Sequence, residues 1–139
     1  MRVLLDTNVI LDVLLQREPH VTDSAAVLGV VESGLITGLV GATTVTTIYY
    51  LLEKALGARR AGKHVETLLS LCDVAPVGED VLREALALGF PDYEDAVLHE
   101  AARRARAQGI VTRDQAGFAR AELPVYTPGE LLTTLRHRR

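Results

Sequence analysis

The sequence has no surplus of positive charge: 15 Lys and Arg stand against 18 Asp and Glu, a formal charge of −3 at neutral pH. Proteins held on nucleic acid by bulk charge carry a basic excess, so any RNA or DNA would have to be gripped by local patches or through a metal. There is one cysteine, Cys72, which excludes an internal disulfide and a cysteine metal site and fits a reducing compartment. Long apolar runs are missing as well. The opening Met1-Arg2-Val3-Leu4-Leu5-Asp6 meets an acid after three apolar residues, too few for the core of a signal peptide, and nothing later approaches a membrane span. A cytoplasmic protein with no membrane partner is expected. Internal repeats, low-complexity tracts and Pro-, Gly- or Ser-rich linkers are absent. The four histidines, His20, His64, His99 and His137, show no metal-ligand spacing.

What is present is an ordinary globular chain of 139 residues, 48% apolar and 24% charged, enough for one domain with a real core. Short apolar runs alternate with helical patterns. Strands are expected at Val3–Leu5, Ile36–Val40, within Cys72–Val77, at Ile110–Thr112 and at Leu123–Tyr126. Helices are expected at 8–15, 21–33, 44–56, 58–71 and 79–88, several of them stopped by a glycine. Pro91 suits the first turn of a further helix reaching about Gln108. Thr127-Pro128-Gly129-Glu130 reads as a capping box with proline at the first helical position, and the basic tail 136–139 is expected to fray. Continuous apolar strands separated by helices imply an α/β fold: a parallel sheet covered on both faces.

In such folds, sites lie beyond the carboxyl ends of the strands. Asp6 ends the first strand, and Asp114 follows the fourth by two residues. Asp95 lies in the first turns of the helix leading into that strand, with Asp92 three residues earlier and on its face. Each acid also has a purely structural reading. Asp6 and Asp114 are good helix caps, and Asp92 and Glu94 suit the positive end of a helix dipole. Asp95 lies past the cap, before Ala96-Val97-Leu98, and is harder to explain in this way. Three aspartates converging on one edge would repel one another and need neutralising. Oxygen ligands without histidine or cysteine point to a hard cation, Mg²⁺ or Mn²⁺. The implied chemistry is phosphate-ester hydrolysis, in which a metal-activated water attacks phosphorus.

Three segments carry a resemblance: "VLLDTNVILDVLL" (3–15), "DAVLHEAARRARAQGIVTRDQAGF" (95–118) and "LPVYTPGELL" (123–132). Together they resemble a PIN domain over essentially the whole chain, 1–139. The resemblance implies a three-layer α/β/α sandwich around a mostly parallel sheet of four or five strands. It further implies a Mg²⁺- or Mn²⁺-dependent ribonuclease acting on RNA, of the kind that serves as the VapC-type toxin of a toxin–antitoxin pair. An antitoxin protein partner and a homodimer follow from the same likeness. Asp6, Asp95 and Asp114 match the catalytic, metal-binding acids. Thr7 and Asn8 match supporting positions beside the first acid, and Thr112 matches a supporting hydroxyl. The family's usual glutamate in the helix after the second strand falls on Thr47, and Glu53 lies about 240° further round the helix. Asp92 or Glu94 is a candidate replacement ligand. The alternative is a catalytically inactive PIN-like module that binds RNA or protein. A haloacid dehalogenase-type phosphatase also begins with an aspartate after strand one, but it needs a second two residues on, where Asn8 stands.

Other polar groups have plainer readings. Tyr49 and Tyr50 point to core or a dimer face, or one of them to a base-stacking surface. Arg103, Arg104 and Arg106, and the stretch Arg59, Arg60, Lys63 and His64, read as solvated faces. Arg113, between Thr112 and Asp114, is a candidate either to hold a phosphate or to balance the acids. His99 falls on the face of Asp95, and Cys72 reads as a small buried hydrophobe.

Overall fold

A computed structural model describes residues 1–138. Its elements run β1 (Arg2–Leu5), α1 (Thr7–Leu14), α2 (Val21–Glu32), β2 (Thr37–Gly41), α3 (Ala42–Leu56), α4 (Ala58–Leu71), β3 (Asp73–Ala75), α5 (Glu79–Leu86), α6 (Tyr93–Arg104), β4 (Gly109–Val111), β5 (Val125–Tyr126) and α7 (Pro128–His137). A short 3₁₀ turn, Gln115–Phe118, follows β4.

The five strands form one sheet in the order β3-β2-β1-β4-β5, and every neighbouring pair is parallel. β1 is central. The chain first builds outward on one side of it, through β2 and β3, then returns to add β4 and β5 on the other. That reversal leaves a crevice at the carboxyl end of β1, where the two connections diverge.

Alternation along the strands divides the core between the two faces of the sheet. Val3, Leu5, Val40 and Val111 look toward one face with α1, α2 and the inner side of α3 and α4. Leu4, Leu39 and Ile110 look toward the other, against α5, α6 and Phe118. Val3, Leu4 and Leu5 have no solvent exposure, and burying each aliphatic side chain contributes about 1.5–3 kcal/mol. The result is the expected three-layer α/β/α sandwich.

Most boundaries shift by a residue or two from expectation, and those of α6 and β5 bear on the site. α6 begins at Tyr93, not Pro91, because Asp92 is its N-cap: extended at φ −117°, it accepts the Glu94 amide through its side chain. α6 ends at Arg104 because Arg106 turns left-handed at φ 64°, and the Ala107 amide then closes back on the Ala102 carbonyl. β5 is two residues long, and the Pro124 carbonyl before it accepts the Ile110 amide. The tail expected to fray is helical through Arg136 and His137. Arg139 lies outside the described residues.

Candidate metal centre

Asp6 leaves β1 at its carboxyl end and caps α1. It is 7% exposed, and each of its oxygens is tied. Oδ1 accepts the Thr7 amide at 2.7 Å. Oδ2 accepts the Thr112 hydroxyl at 2.8 Å and the Asn8 side-chain amide at 3.2 Å. The Thr112 hydroxyl is itself fully buried and receives the Asp114 backbone N–H at 3.0 Å. One threonine therefore couples the acid after β1 to the acid after β4, across a sequence separation of more than a hundred residues. The Asn8 carbonyl oxygen accepts the Arg113 amide at 3.2 Å and ties the same loop to α1. The Thr7 hydroxyl donates to the buried Thr44 hydroxyl in the first turn of α3 at 3.3 Å.

Asp114 caps the 3₁₀ turn through the Gly117 amide. Gly117 makes the convergence of acids measurable. A β-carbon added there would lie 2.8 Å from Asp114 Oδ2 and 2.8 Å from Asp95 Oδ2. The two carboxylate oxygens are therefore separated by no more than twice that distance, on either side of a gap that only a residue without a side chain leaves open. Asp95 reaches the gap from the first turn of α6.

Electrostatics reports the same crowding. Asp95 is pushed up to about 7, first by burial and then by the charges of Asp6, Asp92, Asp114 and Glu94. Asp6 is also raised, by burial and by Asp114 and Asp92, although the Thr112 and Thr7 hydrogen bonds oppose the shift. Asp92, exposed at the α6 cap, thus adds its field to both acids.

Among the described residues, no three His, Cys, Asp or Glu side chains come close enough together to grip an ion unaided. Asp95 and Asp114 face one gap, and Asp6 adjoins them through Thr112. That donor set is all oxygen. It fits Mg²⁺ or Mn²⁺ held by one or two carboxylates, with water at the remaining positions. A soft-metal site would need ligands that are not there.

The other residues singled out in the sequence take up varied positions. Arg113 does not face the acids. Its guanidinium is bidentate on Asp12, at 2.6 and 3.1 Å, and Asp12 also takes Arg17 at 3.0 Å and the Ser24 hydroxyl at 3.4 Å. Asp12 has no exposure at all and was missed; its signal was a lone acid inside the apolar run Val9–Leu15. Thr47 donates its hydroxyl to the Thr43 carbonyl, one turn back on α3. Glu53 is exposed on the same helix. His99 is a core side chain whose Nε2 accepts the Glu122 and Leu123 amides, and burial pushes its pKa down. Arg103 and Arg104 pair with Glu84 and Glu100. Tyr49 packs on the core, while Tyr50 is exposed under the Lys54 ammonium.

Fold and site together define a class: a parallel-sheet α/β/α protein with an oxygen-only acidic cluster at the switch point of its sheet. Within that class the chain belongs to the PIN domain family, which matches residues 2–116. It is 23% identical over 134 residues to a curated relative, Ribonuclease VapC1 of Aquifex aeolicus, covering 93% of this chain and 92% of that one. Among solved structures it is similar to VapBC2 of Rickettsia felis bound to a promoter DNA fragment, with TM-score 0.71 and 15% identity, covering 91% of this chain and 98% of that one. It is also similar to a toxin–antitoxin complex of Klebsiella pneumoniae, with TM-score 0.69 and 22% identity, covering 91% and 97%. The dehalogenase alternative is not favoured by these matches.

Proposed function

We propose that the chain is a divalent-metal-dependent endoribonuclease, with Asp6, Asp95 and Asp114 as the acids that hold Mg²⁺ or Mn²⁺ and Asp92 as a further ligand. The observation that carries this reading is the pair of carboxylate oxygens facing across Gly117, beside a buried Asp6. When bound, the cation supplies an activated water and screens the charge that develops on phosphorus and on the leaving oxygen.

The chain's own residues do the rest. Thr112, Asn8 and the Thr7 amide hold Asp6 in one orientation, so little reorganisation is needed when charge develops. Burial around Asp6 and Thr112 excludes water and strengthens every local electrostatic term. In the metal-free chain Asp95 is pushed up to about 7, so near neutrality its proton competes with the cation. Thr47 offers a hydroxyl where a glutamate would offer an anion, which favours one cation over two. The same substitution is what supports the reading of an inactive binding module.

The relative named as a ribonuclease supports RNA as substrate, and the similar toxin–antitoxin complex supports a role as a toxin silenced by an antitoxin partner. A homodimer in the cytoplasm completes the proposal. Among the described residues, no helix is long and apolar enough to cross a membrane.

The test pairs Mn²⁺ calorimetry with cleavage of end-labelled RNA, for the parent, Asp6→Asn, Asp95→Asn and Asp92→Asn. Cleavage that stops in EDTA and in the Asp6 and Asp95 variants, with Mn²⁺ affinity lost in parallel, supports the proposal. Cleavage persisting in EDTA overturns metal dependence. Mn²⁺ and RNA binding without cleavage assigns the chain to the inactive module.

A further inference from the structure

Beside the acidic cluster lies a cleft of about 280 Å³ between α3, α5 and α6. Its walls include Thr46 and Thr47 of α3, Leu82 of α5, and Tyr93, Glu94 and Val97 of α6. Its position is fixed relative to the acids. Glu94 precedes Asp95, and its charge raises that residue. Thr43, also in the lining, precedes Thr44, whose hydroxyl receives that of Thr7. At under 300 Å³ the cleft is smaller than pockets for drug-sized ligands, and it suits one ring system.

Two features describe the occupant. The first is the Tyr93 ring. It is 44% exposed, yet its hydroxyl is anchored to the Leu82 carbonyl at 2.8 Å, so an aromatic face is presented at low entropic cost. The second is the sense of the polar lining. The Thr46 and Thr47 hydroxyls both spend their protons on the Thr43 carbonyl, at 3.0 and 3.1 Å, which leaves them lone pairs to offer. Glu94, when ionised, also only accepts. Thr43 Oγ1 has no partner among the described residues but is buried, so the accessible polar lining is one of acceptors, which complements a ligand that donates. Adenine and cytosine project an exocyclic amino group, whereas uracil projects carbonyls on both sides of its single ring N–H.

We infer that this cleft is a nucleobase subsite: it takes the base flanking the scissile phosphate of single-stranded RNA and prefers an amino-bearing base to uracil. The inference rests on the nuclease reading for its place in catalysis but not for its binding.

The test therefore reads binding and cleavage separately. Fluorescein-labelled oligomers of A, C and U are titrated with the full chain in EDTA and followed by anisotropy, and kcat and KM are measured on the same RNAs in Mn²⁺. The expected result is tighter binding of A and C oligomers than of U. Tyr93→Ala should weaken all three about tenfold, within the range of a lost base stack, while Tyr93→Phe keeps the ring and retains most of the affinity. The shape-preserving pair Thr46→Val and Thr47→Val should bring the C-to-U ratio toward one, with Thr46→Val acting through KM rather than kcat. Mn²⁺ affinity should be unchanged in the two Tyr93 variants and in Thr46→Val, which separates this cleft from the acidic cluster. Discriminating binding without cleavage keeps the subsite and overturns the nuclease. Cleavage with the C-to-U ratio unmoved by the valine substitutions, or affinity unmoved in Tyr93→Ala, overturns the subsite, as does a parent that binds none of the three.

Discussion

Asp95 sits where its ionisation is opposed twice, by partial burial and by four neighbouring carboxylates. Its folded-state pKa of about 7 lies above the ordinary value of 3.8. The unfolded chain therefore releases this proton at lower pH than the folded one. Asp95 helps stability below pH 3.8, and that contribution is lost as pH rises toward 7. For metal-free protein, urea midpoints should fall across that interval, and Asp95→Asn should flatten the fall and raise the midpoint above neutrality. Gly117 makes a complementary case in which space, not charge, decides. Gly117→Ala would drive a methyl against both Asp95 and Asp114. Calorimetry should record a loss of Mn²⁺ affinity of about tenfold or more, the scale seen when groups supporting a metal ligand are disturbed. Stability should fall by about 1 kcal/mol at most, because the two side chains can swing away at the cost of the Asp114 cap. An unchanged Mn²⁺ affinity would mean that the gap does not receive the ion.

At the scale of elements, helix ends were the part of the sequence most open to reading, because caps are local chemistry. The Thr127–Glu130 box is present in full: the Thr127 hydroxyl accepts the Glu130 amide, and the Glu130 carboxylate accepts the Thr127 amide. Thr127→Ala should cost about 1 kcal/mol in denaturant titrations, the usual loss for such a cap, by freeing the first turn of α7. Asp6 and Asp114 are caps, as their structural reading had it, and Asp92, expected only as an acid at a helix dipole, is a cap too; capping does not compete with a site reading, because the same side chains aim helix ends at the cluster. The start of α6 was misjudged because proline at a first helical turn is a statistical preference, whereas Asp92 satisfies an otherwise unpaired N–H. The direction of Arg113 could not be read at all. Its partner Asp12 lies 101 positions away, and no local pattern reports a pairing made by tertiary contact. The strand order was equally hidden, although alternation of strands and helices was enough to give the layered architecture.

For the molecule as a whole, the acidic cluster is a local liability that a cation would relieve. Binding that favours the folded state alone raises stability by about 2.7 kcal/mol at a concentration a hundred times the dissociation constant. Thermal midpoints should therefore rise with added Mn²⁺. The gain should be larger at about pH 8 than at about pH 5.5, because protonated carboxylates compete with the metal. An equal gain at both pH values would place the ion away from Asp95.

The central strand carries a consequence for how such a protein is made. β1 emerges from the ribosome long before β4, yet β4 is the neighbour that brings Thr112 and Asp114 to the end of β1. Until that late segment has been translated and has docked, Asp6 is an isolated side chain with none of its distant companions. A growing chain therefore lacks the paired ends of β1 and β4, and with them the acidic cluster, until β4 and the turn after it have been made and have docked.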